Sequence, residues 1–231
     1  MGEAFITRRG GGIPYAIIGV TYPSGSTCTC TNGTRTLTAK DTSGKALFVI
    51  PAAGTWTVKA VSGSKTASKA VSITAEGQVE TVKLAYALIL FDGTDNTDVT
   101  GGLKLQVGNY DSAVVSSAPI SGGKITFNKT GYVGVYPAKK ADITNYSTLR
   151  VELNFPVDSL YVALAGIIST DATPQEAMNA SGGKHVAYQD LVKGANSLAI
   201  PVDKFSGSYQ FLLAYYSDNG GQVSISNIRF T

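Results

Sequence analysis

The chain has 231 residues, of which 43% are hydrophobic and only 15% charged, with a formal net charge of +3. That hydrophobic share excludes a disordered chain, and the length suits two β domains better than one small sandwich. The basic residues are scattered apart from the pairs Arg8-Arg9 and Lys139-Lys140. Nucleic-acid binders gather Lys and Arg onto one face or run, so nucleic acid is excluded as a partner.

The 26 glycines and abundant Thr and Ser favour strands and turns over helix interiors, and long runs of Ala, Leu, Glu and Lys are missing. The fold expected is therefore all-β. No stretch is long and apolar enough to span a membrane as a helix, so no membrane partner is expected.

Residues 1–19 read as an N-terminal arm. Phe5 and Ile6 form a short apolar patch, Arg8 and Arg9 follow, and Gly10-Gly11-Gly12 marks a flexible joint. These four side chains are the expected docking residues of the arm. The N-terminus lacks the apolar h-region of a secretory signal, and no apolar stretch follows the Arg pair as a twin-arginine signal requires. Export by either route is not expected.

Residues 20–86 read as one sandwich of six or seven short strands. Val20–Tyr22 ends at the turn signal Pro23-Ser24-Gly25. Thr27–Thr31 and Thr34–Ala39 flank Asn32-Gly33, which predicts a type I′ hairpin with positive φ at both central residues. Cys28 and Cys30 share one strand face but are poorly spaced for an unstrained disulfide, so two reduced thiols are expected. Ala46–Ile50 is a short apolar core strand. Trp56, Val58 and Ala60 alternate with Thr55, Thr57 and Lys59, which buries one face and places Trp56 in the core. Lys69–Thr74 and Val79–Tyr86 are expected to pair across Ala75–Gln78.

Residues 87–231 read as a second domain. Leu88–Phe91 opens it, and a polar loop, Asp92–Gly102, follows. Ile125 and Phe127 alternate with polar neighbours, and Tyr132–Tyr136 continues the pattern. Leu149–Phe155 is a period-two strand with one wet face, and Leu160–Ile168 is apolar on both faces, as a central strand would be. Thr173-Pro174-Gln175-Glu176 carries the cap and first-turn pattern of a short helix. Tyr209–Tyr216 and Val223–Phe230 close the chain, and the shift of apolar phase between Ile225 and Ile228 predicts a bulge. Two packed antiparallel sheets, a jelly roll, fit this strand count.

Two stretches resemble known modules. TCTCTNGTRTLTAKDTSGKALFVIPAAGTWTVKA with SKAVSITAEGQVETVKLAY, within Thr27–Tyr86, resembles the Ig-like, carboxypeptidase-regulatory-like modules of phage structural proteins. DITNYSTLRVEL (Asp142–Leu153), SGSYQFLLAYY (Ser206–Tyr216) and the terminal VSISNIRF resemble jelly-roll domains of galactose- or carbohydrate-binding type. The tandem is similar to accessory virion proteins (tail, tail-tip or capsid appendages) of siphophages and prophages of Gram-positive gut bacteria.

The resemblance implies a homo-oligomeric virion protein assembled in the host cytoplasm, joined to other virion proteins through the arm and touching host surface glycans. The alternative is a bacterial cell-surface carbohydrate-binding module or adhesin.

No catalytic residues are expected. His185 is the one histidine, read as an exposed loop residue, and no Gly-x-Ser-x-Gly elbow surrounds any serine. The acids read mostly as turn formers rather than the paired carboxylates of glycoside hydrolysis, so the chain is expected not to be an enzyme. Asp92, Asp95, Asn96 and Asp98 form an oxygen-rich loop where structural calcium is the candidate ion. Their spacing fails the EF-hand pattern and suits a turn, so no metal site or cofactor is assigned. Saccharides stack on aromatic rings, and Tyr110, Tyr188, Tyr215 and Tyr216 near loops and strand ends are the candidate carbohydrate-binding residues.

Overall fold

A computed structural model describes residues 15–108, 114–156, 163–168 and 185–231. The chain divides into two units, residues 1–86 and 87–231, each with its own core. Both are all-β. Among the described residues no helix is long and apolar enough to cross a membrane. The arm residues Phe5, Ile6, Arg8 and Arg9 lie outside the described residues, as do Tyr110 and the helix expected at Thr173–Glu176.

In the first unit the strands are β1 (Ala16–Thr21), β2 (Thr27–Thr31), β3 (Thr36–Thr38), β4 (Lys45–Ile50), β5 (Gly54–Ser62), β6 (Lys65–Ile73) and β7 (Gln78–Lys83). They form a three-stranded sheet ordered β4-β1-β7 and a four-stranded sheet ordered β3-β2-β5-β6. The period-two patterns point Ile18, Val20, Phe48, Ile50 and Val82 from one sheet, and Cys28, Cys30, Trp56, Val58 and Ile73 from the other, into a shared core. Trp56 is fully buried, and its indole N–H donates to the Ala52 carbonyl at 3.2 Å.

Three sequence expectations change here. β1 begins at Ala16 rather than after residue 19, because Ala16, Ile18 and Val20 alternate into the core and extend the strand back toward the glycines. The Asn32-Gly33 turn is not type I′. Only Gly33 takes positive φ (91°), and Thr31 pairs with Thr36 across a longer loop. The Asn32 carboxamide oxygen instead accepts from the Thr34 and Arg35 amides at 3.2 and 2.8 Å, a local alternative to the tight turn. Finally, β6 and β7 are not a hairpin. The Gln78 side-chain oxygen accepts from the Thr74 and Ala75 amides at 2.8 and 3.3 Å. From there the chain crosses to the other sheet, where β7 runs parallel to β1.

The second unit contains β8 (Leu88–Phe91), α1 (Thr97–Thr100), β9 (Leu103–Gly108), β10 (Val114–Ser117), β11 (Ile120–Ser121), β12 (Lys124–Asn128), β13 (Gly131–Pro137) and β14 (Ala141–Asp142). It continues with β15 (Thr148–Phe155), β16 (Ala163–Ile168), β17 (His185–Asp190), β18 (Gly194–Pro201), β19 (Ser208–Ser217) and β20 (Gln222–Phe230). One sheet is ordered β10-β9-β13-β19-β16-β17, with β14 also on β19. The other is ordered β11-β12-β20-β15-β18, with β8 also on β20.

Their inner faces supply one core. Leu149, Val151, Leu153, Phe155, Ile225, Ile228 and Phe230 meet Leu105, Val133, Val135, Ile167, Phe211, Leu213 and Tyr215. β16 is buried on both faces between β19 and β17, as its unbroken apolar run requires. In β20 the register skips Ser226 between Leu153↔Ile225 and Glu152↔Asn227. This bulge lets both Ile225 and Ile228 point inward despite their odd spacing.

Cys28 and Cys30 are free, fully buried on the core face of β2, and pushed up to about 11 by burial, with Cys30 raised further by its neighbour Cys28. The neutral thiol is therefore the folded form. Stability from this source is complete below the ordinary thiol value of 9.0 and is lost as pH climbs from there toward about 11. Urea midpoints measured across that window should fall more steeply for the native sequence than for the double variant Cys28→Ala/Cys30→Ala. Equal slopes would contradict the assignment.

Candidate functional site

The outer face of the β11-β12-β20-β15-β18 sheet carries an open groove of about 470 Å³, lined by Lys124, Glu152, Asn154, Ala195, Asn196, Ser197, Ser224 and Ser226, with Leu153 at its base. Three strands build it by alternation. In β15 the buried Leu149, Val151, Leu153 and Phe155 leave Arg150, Glu152 and Asn154 outward. In β18 the buried Asn196, Leu198 and Ile200 leave Ala195, Ser197 and Ala199 outward. In β20 the buried Val223 and Ile225 leave Ser224 outward, and the bulge adds Ser226.

Register then sets the rows. Thr126, Ser224, Asn154 and Ala195 lie side by side across β12, β20, β15 and β18, and Glu152 faces Ser197. Local hydrogen bonds of two residues, Ser226 and Asn196, fix the walls. Ser226 Oγ donates to the Glu152 carbonyl at 3.1 Å. Asn196 ties down the turn that enters β18, accepting from the Val192 amide at 3.0 Å and donating to the Val192 and Gly194 carbonyls at 2.8 and 2.9 Å. The small side chains of Ala195, Ser197 and Ser224 keep the floor low, while Lys124, Glu152 and Asn154 supply donors and acceptors. This arrangement can hold a flat, hydroxyl-rich ligand by hydrogen bonds on rigid strands.

Of the tyrosines expected from sequence, the described Tyr188, Tyr215 and Tyr216 fall elsewhere. Tyr215 is a core residue, 2% exposed, with its ring 5.1 Å from Phe155 in an edge contact and 6.4 Å from Phe127 in a stacked one. It has no ligand-facing surface, because its parity in β19 matches the inward Phe211 and Leu213. Its neighbour Tyr216 takes the opposite face, half-buried, 4.8 Å from the Tyr132 ring, with its hydroxyl donating to Asp218 at 2.7 Å. On that same outer face Leu164, Ile168, Leu212 and Ala214 form a small buried cluster with Tyr132 and Tyr136 against it. Tyr188 is 48% exposed on β17, its ring 4.0 Å from His185. The structure thus does not gather these tyrosines into one groove.

His185 is half-buried at the start of β17 rather than in an exposed loop, and its buried Nδ1 has no hydrogen-bond partner among the described residues. In the Asp92–Asp98 loop both Asp95 oxygens accept from the protein, Oδ1 from the Thr100 hydroxyl at 3.0 Å and Oδ2 from the Leu103 amide at 3.2 Å. Asp92 accepts from the Thr94 hydroxyl at 3.0 Å. These bonds hold α1 and the entry to β9, a turn-forming role. Among the described residues no three acidic, Cys or His side chains converge as metal ligands.

The groove residues Lys124, Asn154, Ser197, Ser224 and Ser226 were not singled out from sequence. The wet face of Leu149–Phe155 was the available signal, since it already turned Glu152 and Asn154 outward. The missing information was which strands lie beside it.

No family model matches this chain, and no curated protein matches it. Among solved structures, one of carbohydrate-binding modules from the β-sandwich superfamily aligns at 12% identity and TM-score 0.34, over 89% of this chain and 84% of that one. A pore-forming toxin homologue from Bacteroides vulgatus aligns at 10% identity and TM-score 0.18, over 95% and 92%. A calcium-binding mutant of Bacteroides uniformis β-glucuronidase 2 aligns at 10% identity and TM-score 0.17, over 94% of this chain and 29% of that one. At TM-scores this low none of these proteins fixes a ligand for the chain.

The Tyr215 hydroxyl is buried with no hydrogen-bond partner among the described residues, and burial pushes its phenol far above the ordinary value. Removing it should cost nothing. Tyr215→Phe is expected to unfold at the same or a higher temperature, with a gain of about 1 kcal/mol, set by relief of the unmet hydroxyl. A clear drop in the calorimetric midpoint would show that the hydroxyl holds a partner.

Proposed function

We propose that this chain is a non-catalytic glycan-binding module, an Ig-like sandwich followed by a jelly roll, whose second unit holds a saccharide in the groove over β12, β20, β15 and β18. The carrying observation is the groove itself. Its volume of about 470 Å³ lies within the ordinary range for ligand sites, and it is open along a sheet face, as an extended chain needs. Its walls are Lys, Glu, Asn and Ser groups on register-fixed strands, so hydroxyl-directed hydrogen bonds form without ordering a loop.

Binding is favoured over turnover by the charge pattern. Glu152 is the one carboxylate among the described lining residues, whereas glycoside hydrolysis in its usual form uses two carboxylates flanking the bond. The groove speaks directly for a carbohydrate-binding module or adhesin. The virion setting draws on the sequence resemblance alone.

Asn154→Ala combined with Ser197→Trp, which removes a wall hydrogen bond and fills the floor, should weaken binding of a glycan found by array screening about tenfold or more, on the scale of one or two lost polar contacts. Both positions are outward, so the unfolding temperature should hold. Tyr188→Ala, away from the groove, should leave affinity unchanged. Loss of binding in Tyr188→Ala with none in the groove variant would overturn the proposal.

A further inference from the structure

The strands that build the groove also place two arginines side by side at one end of it. β15 and β20 are antiparallel, and Arg150 stands directly opposite Arg229. Leu149, Val151, Ile228 and Phe230 take the core side, so both guanidinium groups leave from the outer face. Directly opposed residues hold their Cβ atoms about 4.5–5.5 Å apart, and like charges so placed repel.

The flanking positions in that row do not neutralise the pair. Arg150 is followed by Ala199 on β18, and Arg229 by Ile89 on β8. Glu152 sits one two-residue step along β15, about 7 Å away by strand geometry, and offsets one charge. Lys124, on the β12 side of the groove, restores the excess. Arg150, Arg229 and Lys124 therefore outnumber Glu152 on this face.

We propose that the groove takes an acidic saccharide, whose carboxylate or sulfate is bridged by Arg150 and Arg229 while its hydroxyls meet Asn154, Ser197, Ser224 and Ser226. This rests on the glycan-binding reading above and names the ligand class. An anion between the two guanidinium groups turns their repulsion into two charge-assisted contacts, and the planar fork of arginine fits an oxyanion bidentately. Glu152 and Ser197 share the next row along the strands from the pair, about 7 Å away, so a sugar unit over that row can place its acidic substituent between the guanidinium groups while further units run on over Asn154 and Ser224.

The test uses the full chain and two matched polymer pairs, polygalacturonate with its methyl ester and dextran sulfate with dextran, read by affinity electrophoresis and calorimetry. In at least one pair the anionic polymer should bind about tenfold or more tightly than its neutral partner, the scale of a charged hydrogen-bonded contact. The pair that shows the gap identifies carboxylate or sulfate as the recognised group.

Arg150→Ala/Arg229→Ala should close that gap without lowering the unfolding temperature, since relief of like charge compensates the lost contacts. Arg150→Lys/Arg229→Lys, which keeps the charge and loses the fork, should recover only part of it. Lys65→Ala/Lys69→Ala, an equal loss of charge on the first unit, should leave the gap intact. No gap in either pair, a gap that survives Arg150→Ala/Arg229→Ala, or an equal loss in the lysine control each overturns the proposal. Neutral and acidic polymers binding alike would defeat this inference while leaving the glycan reading standing. Binding of no polymer would overturn this inference, and an array screen that also finds no glycan would defeat the glycan reading itself.

Discussion

The register of β15 between β20 and β18 is the constraint on which the second unit depends. Side chains on a strand alternate with period two, so a slip of one residue would turn Leu149, Val151, Leu153 and Phe155 out of the core and Arg150, Glu152 and Asn154 into it. Burying three unpaired polar or charged groups while exposing four apolar ones is far costlier than anything new surface pairing could return. Eight consecutive pairs with β18 hold this register, from Thr148↔Pro201 to Phe155↔Gly194. The same constraint places the groove, because the outward positions are what remain once the inward ones are fixed.

The bulge at Ser226 fits this logic. Ile225 and Ile228 are three apart, so a regular strand would expose one of them. Skipping Ser226 in the ladder keeps both in the core and leaves an extra hydroxyl on the groove wall, tied to the Glu152 carbonyl. A core requirement thus adds a polar group to the ligand-facing side. The other sheet treats its outer face differently. There Leu164, Ile168, Leu212 and Ala214 are themselves buried, and the half-buried Tyr132 and Tyr136 pack against them, so the two sheets present unlike outer chemistry.

Much of this was legible in the sequence wherever alternation was clean. The core face of Leu149–Phe155, the burial of Trp56, the two-sided burial of β16 and the bulge in β20 all follow from spacing alone. Tyr215 and Tyr216 were not separable in this way. In Tyr209–Tyr216 both faces are apolar (Phe211 and Leu213 on one, Leu212 and Ala214 on the other), so period two gives no sign of which tyrosine points inward. The Asn32-Gly33 pair misled because the Asn32 side chain offered the Thr34 and Arg35 amides a competing acceptor. The groove stayed hidden because it is made by neighbours distant in sequence. Asn154, Ala195 and Ser224 share a row only after β18 and β20 have closed on β15, and no local pattern records which strands pair.

The most direct test of a glycan-binding groove on this sheet is residue-resolved NMR of the labelled chain during titration with an oligosaccharide from the polymer that binds best. The account predicts amide shifts gathered at residues 124–126, 150–154, 195–199 and 224–229, which are adjacent only in the folded sheet. Shifts centred on Tyr132, Tyr188 and Tyr216, with the groove rows unmoved, would contradict it.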